Sequence, residues 1–470
     1  MTPLERELHE IVGSRHVLSR KSELLAYTSD ALPGYRRQPG VAVFPGTRDE
    51  LVAVVRLLAR HGAPYVARGA GTGLSGGALA QGSVLLGLHR LRRIIGVDPE
   101  SRLATVEPGV VNAHLTRAAA VHGLHYAPDP SSQAACTIGG NIAENAGGPH
   151  CLKYGVTLNH VVALTIVLPD GTLVSLGSAA GETDGYDLLG TFVGSEGCFG
   201  VVVEATVRLT PNPQAVRTML ADFTSVDAAA RATSAIIATG IVPAALEMMD
   251  NPTIRAVEAS FYAAGYPVDA AAVLLIEIDG LAAGIDHDAE RLAGLCRESG
   301  AREVRLATDD AERARLWQGR KKAFGAMGRV SSHLVVQDAV IPRTRLPDVL
   351  RAILQIGTEE RVTVCNVFHA GDGNLHPNIP YNANDPDESA RVQSAMRRIM
   401  QVCVDAGGSV TGEHGIGLDK LDYMPLIFSD ASLAAMCRLR EVFDPARRSN
   451  PGKVVPVRAC REWALAPTTR

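Results

Sequence analysis

The chain has 470 residues, with 46 lysines and arginines against 50 aspartates and glutamates, which gives a formal net charge of −4. This balance provides no basic face of the kind that nucleic-acid-binding proteins carry, so we expect no nucleic-acid partner. Apolar residues make up 46% and charged residues 20% of the chain, as in ordinary globular enzymes. The length predicts about three domains.

Neither a membrane span nor a secretion signal is predicted. The longest apolar runs, such as 161–168, are far shorter than the ~20 residues that cross a bilayer. The first ten residues alternate charges and contain no apolar signal-peptide core. We therefore expect a cytoplasmic protein without a transmembrane segment, and we leave open a peripheral position at the inner face of the membrane.

The eight cysteines are scattered and form no CxxC pair. This spacing argues against iron–sulfur, zinc-ribbon and disulfide frameworks, and we predict buried free thiols. Without an iron–sulfur centre of its own, the chain would need a separate carrier for any electrons that it releases.

In chain order, an N-terminal helix is predicted first, and a second helix follows the capping box of Thr47 and Glu50. Residues 69–77 then contain five glycines between two predicted strands. The spacing G-x-G-x-x-G at 71–76 matches a Rossmann fingerprint, but that fingerprint must begin a helix, which Gly76 and Gly77 disfavour. We predict a loop whose backbone N–H groups bind an anion such as pyrophosphate; a bare glycine-rich turn is the alternative.

Two further glycine-rich stretches follow, at 137–148 and 192–200. The first contains two Gly-Gly pairs and two asparagines, which suits a flat backbone against a planar ligand, with an irregular surface loop as the alternative. A Pro-Asn-Pro sequence at 211–213 predicts a domain boundary, because strands and helices alternate with fewer glycines beyond it. Helices are predicted there at 226–238, 285–300, 311–327 and 390–406.

The sequence Thr363–Asn378 contains two histidines around an Asp-Gly pair. Asp372-Gly373 favours a two-residue type I′ turn, which predicts a hairpin with His369 opposite His376 and Val367 opposite Asn378. Both imidazoles would then lie on one face, about 5 Å apart at Cβ, and could bind one metal ion. The alternative is a hairpin with two hydrogen-bonded histidines. A third ligand is offered by the glycine-bent loop Gly412–Gly417, which carries Glu413 and His414.

The order of these motifs, followed by Asn-Pro-Gly-Lys at 450–453, resembles the FAD-linked D-2-hydroxyacid dehydrogenases of the vanillyl-alcohol oxidase (PCMH-type) superfamily. This family includes the glycolate oxidase catalytic subunit and D-lactate dehydrogenase. The resemblance covers about residues 20–456 and implies an α+β fold: a PCMH-type FAD-binding domain at 1–213, a substrate (cap) domain with an antiparallel sheet at 214–440, and a C-terminal segment, 441–470, that returns to the FAD domain.

The resemblance also implies roles for individual residues. The metal ligands would be His369, His376 and Glu413, binding zinc, with manganese or iron as alternatives. His414 would be the catalytic base, Arg320 would hold the substrate carboxylate, and Asn378 would lie near the substrate. The residues implied to bind FAD are Arg68, Gly69, Ala70, Gly71, Thr72, Gly73, Leu74, Ser75, Gly76, Pro130, Thr137, Gly139, Gly140, Asn141, Asn145, Gly147, Glu196, Gly200, Val201 and Asn450.

One departure bears on the substrate. Relatives that oxidise D-2-hydroxyglutarate carry threonine and lysine where this chain has Phe324 and Val336. We therefore expect a short D-2-hydroxy acid, glycolate or D-lactate. Iron–sulfur and flavin-like partner subunits or a soluble acceptor would take the electrons. Three alternatives stay open: a D-2-hydroxyglutarate dehydrogenase, a metal-free flavin oxidase of phenols or sugar alcohols, and a non-catalytic flavin-binding subunit.

Overall fold

The computed structural model describes residues 1–32, 34–181 and 185–455. These residues form two compact units, each assembled from separate stretches of chain. The second unit consists of Gly148–Gly155 and Pro213–Gly412, and the first contains the other described residues. The predicted domain bounds stay a prediction; the second compact unit ends at Gly412, earlier than the residue 440 proposed for the cap domain.

The described part of the first unit contains three sheets. In spatial order, the strands of the mixed sheet are Val17–Leu18, Val41–Val43, Val84–Gly87 and Tyr65–Arg68. The antiparallel sheet follows the order Ile94–Asp98, Leu103–Val106, Val201–Arg208, Val161–Val167 and Leu173–Gly177. A short ribbon pairs Thr210–Pro211 with Leu124–His125. The helices are Pro3–Val12, Lys21–Leu24, Arg48–Arg60, Asn112–Ala120, Ile138–Glu144, Leu188–Phe192 and Asp430–Phe443.

The second unit is built around one antiparallel sheet, as predicted for the cap domain. Its main path runs through Ala301–Leu306, Ala215–Phe223, Ala272–Gly280, Ala245–Asp250, Cys365–His369, Asn374–Leu375 and Ala339–Val340, and Pro377–Tyr381 pairs with both Cys365–His369 and His333–Val336. The helices are Cys151–Tyr154, Val226–Ala238, Asn251–Glu258, Ile285–Glu298, Asp310–Ala326, Leu346–Glu360 and Pro386–Asp405. Leu275, Leu316 and Val367 belong to the apolar core that joins sheet and helices.

Two local predictions of secondary structure need correction. Residues 137–148 are not a flat loop, because a helix runs from Ile138 to Glu144 after Thr137, whose hydroxyl accepts the N–H of Gly140. The capping box at Thr47 is half formed: its hydroxyl accepts the Glu50 N–H at 3.1 Å, but the Glu50 carboxylate accepts from Gly46 rather than Thr47.

The prediction of buried free thiols holds for five of the described residues, Cys136, Cys198, Cys296, Cys365 and Cys403, whereas Cys151 is a free thiol that is only half-buried. Cys437 is disulfide-bonded, so the prediction of a free thiol is wrong there. Cys460 lies outside the described residues. Among the described helices, none has both the length and the apolar character needed to cross a membrane.

Candidate functional site

The glycine-rich loop of the first unit connects two neighbouring parallel strands, Tyr65–Arg68 and Val84–Gly87, without an intervening helix. The Rossmann reading is thereby excluded, as the sequence predicted. Gly71 has φ +71°, and a Cβ there would overlap the guanidinium of Arg68. Glycine is favoured at this position by its backbone conformation, and any larger residue would displace the Arg68 guanidinium.

Three polar groups around this loop are buried without a hydrogen-bond partner among the described residues. They are Nη1 of Arg68, Oγ of Ser75 and Nδ2 of Asn141. A buried polar group left unpaired costs about 1–3 kcal/mol, so such a set is expected where a polar ligand binds. Burial also lowers the pKa of Arg68. Predominantly donor groups beside a glycine loop fit the pyrophosphate of FAD.

A distant segment of the same unit holds the loop in place. Asn450 donates to the backbone oxygens of Gly77 and Glu196, at 3.1 and 2.5 Å. Lys453 is buried, and its Nζ donates to Gly77 O at 2.8 Å, Leu79 O at 2.6 Å and Asn450 Oδ1 at 2.6 Å. Burial lowers the pKa of Lys453 to about 8. Sequence reasoning named Asn450 but missed Lys453, although it ends the Asn-Pro-Gly-Lys motif.

Glu196 connects the third glycine-rich stretch to the chain beyond Glu413. Its carboxylate accepts the backbone N–H groups of Ile416 and Gly417, at 2.7 and 2.8 Å. Burial raises the pKa of Glu196, and these two donors oppose the shift. Glu196 therefore shapes the Gly415–Gly417 backbone through its side chain, a task that the sequence did not predict.

The histidine hairpin is present in the second unit, but its predicted register is wrong. His369 pairs with Asn374, and Cys365 rather than Val367 pairs with Asn378, because residues 370–373 form a four-residue connection instead of a two-residue turn. The slip amounts to two residues, so side chains keep their faces. The two imidazoles still lie close together, with centroids 5.2 Å apart and planes at 88°.

Two acidic residues that the sequence analysis did not assign adjoin these histidines. Glu247 is fully buried, 2.8 Å from His369 Nδ1, and forms an ion pair with Arg320. Burial alone would raise the pKa of Glu247, but the charges of Arg320 and His369 hold it below its ordinary value. Asp338 Oδ1 lies 3.8 Å from His376 Nδ1. Glu247 interrupts an apolar strand and Asp338 follows one. This pattern was a weak signal in the sequence that either acidic residue has a special role.

Asp338 also anchors the end of the second unit. Its Oδ2 accepts the Thr411 hydroxyl at 2.6 Å and the Gly412 N–H at 2.9 Å. Glu413 and His414 begin the last stretch of the first unit, half-buried, with His414 Nε2 3.9 Å from Glu413 Oε1.

Asn378 and Arg320 complete the predicted residues of the second unit. Asn378 is buried, and its Nδ2 donates to His376 O at 2.6 Å, while its Oδ1 has no partner among the described residues. Arg320 is buried on the helix Asp310–Ala326, and its Nε likewise lacks a partner within the described chain. Both groups retain hydrogen-bonding capacity for a small polar ligand.

These features define an FAD-linked oxidoreductase with a PCMH-type fold, and comparison with known proteins confirms the class. Residues 39–177 match the family described as FAD binding domain, and residues 212–454 match FAD linked oxidases, C-terminal domain. The chain belongs to this family of FAD-linked oxidases.

Individual relatives match this chain over nearly its full length. The chain is 46% identical to glycolate oxidase subunit GlcD of Escherichia coli (strain K12), covering 97% of this chain and 92% of that one. It is 31% identical to D-lactate dehydrogenase of Anaerostipes hadrus, covering 97% and 98%. Among solved structures, p-cresol methylhydroxylase shares the fold at a TM-score of 0.82, with 15% identity over 96% of each chain.

Proposed function

We propose that this protein is a metal-assisted, FAD-dependent dehydrogenase of short D-2-hydroxy acids, with glycolate and D-lactate as candidate substrates. The observation that carries the proposal is the close pair of His369 and His376 in a chain with an FAD-binding fold. The names of the relatives, a glycolate oxidase subunit and a D-lactate dehydrogenase, support the same substrate class.

In this proposal the first unit holds FAD, which when bound would accept the hydride from the substrate carbon. The loop of Arg68 to Gly76 would bind the pyrophosphate through backbone N–H groups and the unpaired donors of Arg68 and Ser75. The remaining predicted flavin residues, among them Asn141, Glu196 and Asn450, belong to the same unit.

The second unit would supply two imidazoles, and Glu413 a carboxylate, to a divalent ion that lowers the pKa of the substrate hydroxyl. This donor set suits zinc, with manganese or iron as alternatives. His414 would accept the hydroxyl proton, since the ordinary pKa of a histidine is near 6.5. Arg320 would bind the substrate carboxylate through its planar N–H groups, and Asn378 would offer its free Oδ1.

The test is His376→Ala, with anaerobic bleaching of the bound flavin by glycolate and by D-lactate as the measurement. We expect reduction to slow by on the order of 10³-fold, because several kcal/mol of hydroxyl activation would be lost. His287→Ala is the matched control, since His287 is an exposed histidine of the same unit. It should leave the rate unchanged.

Unimpaired flavin reduction in His376→Ala would refute the metal role. Elemental analysis of the purified protein then separates the alternatives: absence of a stoichiometric metal, together with reduction by phenols or sugar alcohols, favours a metal-free oxidase. Bound flavin that no substrate reduces would indicate a non-catalytic subunit instead.

Substrate size depends on two apolar residues in this proposal. Phe324 lies on the helix Asp310–Ala326, one turn after Arg320, and Val336 is buried on the strand His333–Val336. Neither offers a partner for a second carboxylate, so glycolate and D-lactate should outperform D-2-hydroxyglutarate. The opposite order in a substrate panel would favour the hydroxyglutarate alternative.

The electrons would leave through iron–sulfur and flavin-like partner subunits or through a soluble acceptor, in a cytoplasmic setting that includes the inner face of the membrane. The relative from Escherichia coli is named a subunit of glycolate oxidase, which supports an assembly. The sequence spacing of the cysteines, which contains no CxxC pair, supports a separate electron carrier.

A further inference from the structure

The function proposed above assigns no role to Glu247, although this carboxylate contacts both His369 and Arg320. It lies on the strand Ala245–Asp250, directly opposite His369 on the adjacent strand. Its side chain is fully buried, and its two carboxylate oxygens lie 2.8 and 3.0 Å from His369 Nδ1. Both residues therefore belong to one cross-strand pair in the interior of the second unit.

The same carboxylate forms an ion pair with Arg320, a helix residue whose side chain is 6% exposed. Arg320 Nη2 also lies 3.4 Å from His369 Nδ1, so the two contacts imply opposite roles for that nitrogen. The shorter contacts to the carboxylate decide the matter, because an unprotonated Nδ1 would face anionic oxygens with its lone pair. Nδ1 therefore carries the proton and donates it to Glu247.

We propose that Glu247 is a positioning residue that fixes His369 as the Nδ1–H tautomer, so that Nε2 is the unprotonated nitrogen that would face a divalent metal, while it orients Arg320 for an anionic substrate. The inference rests on the proposed function. Its physical basis is general: a carboxylate on the far nitrogen fixes both tautomer and ring orientation of a ligating histidine and increases its basicity. One buried charge thereby serves the metal and the substrate together.

The experiment measures Zn²⁺ affinity of the purified holoprotein by competition with a chelator, without substrate. Glu247→Gln should bind Zn²⁺ about 10–100-fold more weakly than the wild type, the usual loss when such a partner is removed. KM for glycolate should also rise, because Arg320 loses the ion-pair partner that holds its side chain in place. Glu247→Asp keeps the charge but shortens the side chain, so its Zn²⁺ affinity should lie between the two.

Asp250→Asn is the matched control. Asp250 is a buried carboxylate on the same strand, and its partners are Thr253 and Asn366 rather than a histidine. We expect it to lower thermal stability while Zn²⁺ affinity and KM remain those of the wild type.

Wild-type Zn²⁺ affinity in both Glu247 variants would overturn the inference, as would an equal loss in Asp250→Asn, which would mean a purely structural effect. If Glu247→Gln does not fold, Glu247→Asp decides by the same comparison. A wild type that binds no Zn²⁺ and reduces flavin as fast as His376→Ala would instead refute the proposed function, and the inference with it.

Discussion

The glycine-rich loop of the first unit and the histidine pair of the second are held in contrasting ways. Lys453 and Asn450 reach the loop from 376 and 373 residues away in the sequence and bind its backbone oxygens. His369 contacts the Glu247 carboxylate on the adjacent strand at 2.8 Å, and Asp338 Oδ1 lies 3.8 Å from His376 Nδ1. A remote segment thus shapes a backbone in one unit, whereas nearby charges orient side chains in the other.

This contrast indicates where each region is vulnerable. The loop is held by two side-chain donors, Asn450 and Lys453, and each donates to more than one oxygen. Removing one of these donors therefore leaves buried oxygens unpaired. The charged groups of the second unit have overlapping partners: Glu277, for example, is bound by Thr218, Arg313 and Trp317. Single changes should therefore have larger effects in the first unit than in such networks of the second.

The largest effect is expected from Lys453→Met. Leu79 O and Asn450 Oδ1 would lose the Nζ donor, and each unpaired buried group costs about 1–3 kcal/mol, so unfolding free energy should fall by about 3 kcal/mol. FAD should dissociate more readily as the loop loosens. Urea unfolding and flavin retention measure this, with exposed Lys21→Met as a control within about 0.5 kcal/mol of the wild type. Equal stability of the two variants would contradict it.

The same lysine should make the unfolding free energy depend on pH. Its folded-state pKa of about 8 lies below the ordinary value of 10.5, so between these pH values the unfolded chain binds more protons. The unfolding free energy should therefore rise with pH from about 8 to 10.5, by about 3 kcal/mol in total. This rise should be missing from Lys453→Met, and parallel pH profiles of the two proteins would contradict the assignment.

A smaller and more local effect is expected from Gly71→Ala. The added methyl group would overlap the Arg68 guanidinium, and φ +71° disfavours alanine. FAD affinity should fall at least tenfold. Gly82→Ala is the matched control, because its φ of +64° imposes a similar backbone cost of about 1–2 kcal/mol, but nothing lies within 4 Å of the new methyl group. Equal flavin loss in both variants would show that backbone strain alone matters.

The smallest effect should come from Trp317→Phe in the second unit. Its Nε1 donates to Glu277 at 2.6 Å, but Thr218 and Arg313 still bind that carboxylate after the change. We expect a loss of about 1 kcal/mol in unfolding free energy and unchanged flavin content. A loss as large as that of Lys453→Met would abolish the proposed difference between the two regions.

The sequence predicted most of what depends on local pattern. The helix Val226–Ala238 has its predicted bounds, and the common face of His369 and His376 survived a register error because side chains alternate with a period of two. The helix Ile138–Glu144 was missed because its Gly-Gly pair disfavours helix, whereas the Thr137 cap and buried neighbours outweigh that propensity.

The contacts of Glu247 and Lys453 could not be predicted, for a different physical reason. Each contact depends on which distant segment of the chain lies opposite the charged residue. The sequence around a single charged residue does not indicate which segment that is. The predicted roles of Glu413 and His414 likewise came from the family resemblance rather than from local pattern, and they stay predictions.

The return of the chain to the first unit after Gly412 has a consequence for biosynthesis. Residues 1–212 leave the ribosome long before Asn450 and Lys453 exist, so the glycine loop must wait for about 240 further residues before its last donors arrive. During that interval the nascent chain can complete the second unit, because residues 148–155 have already been made and residues 213–412 form one continuous stretch. Cofactor loading would then follow the synthesis of residues 450–453, and a stop codon before Asn450 would impair the part of the polypeptide that was made first.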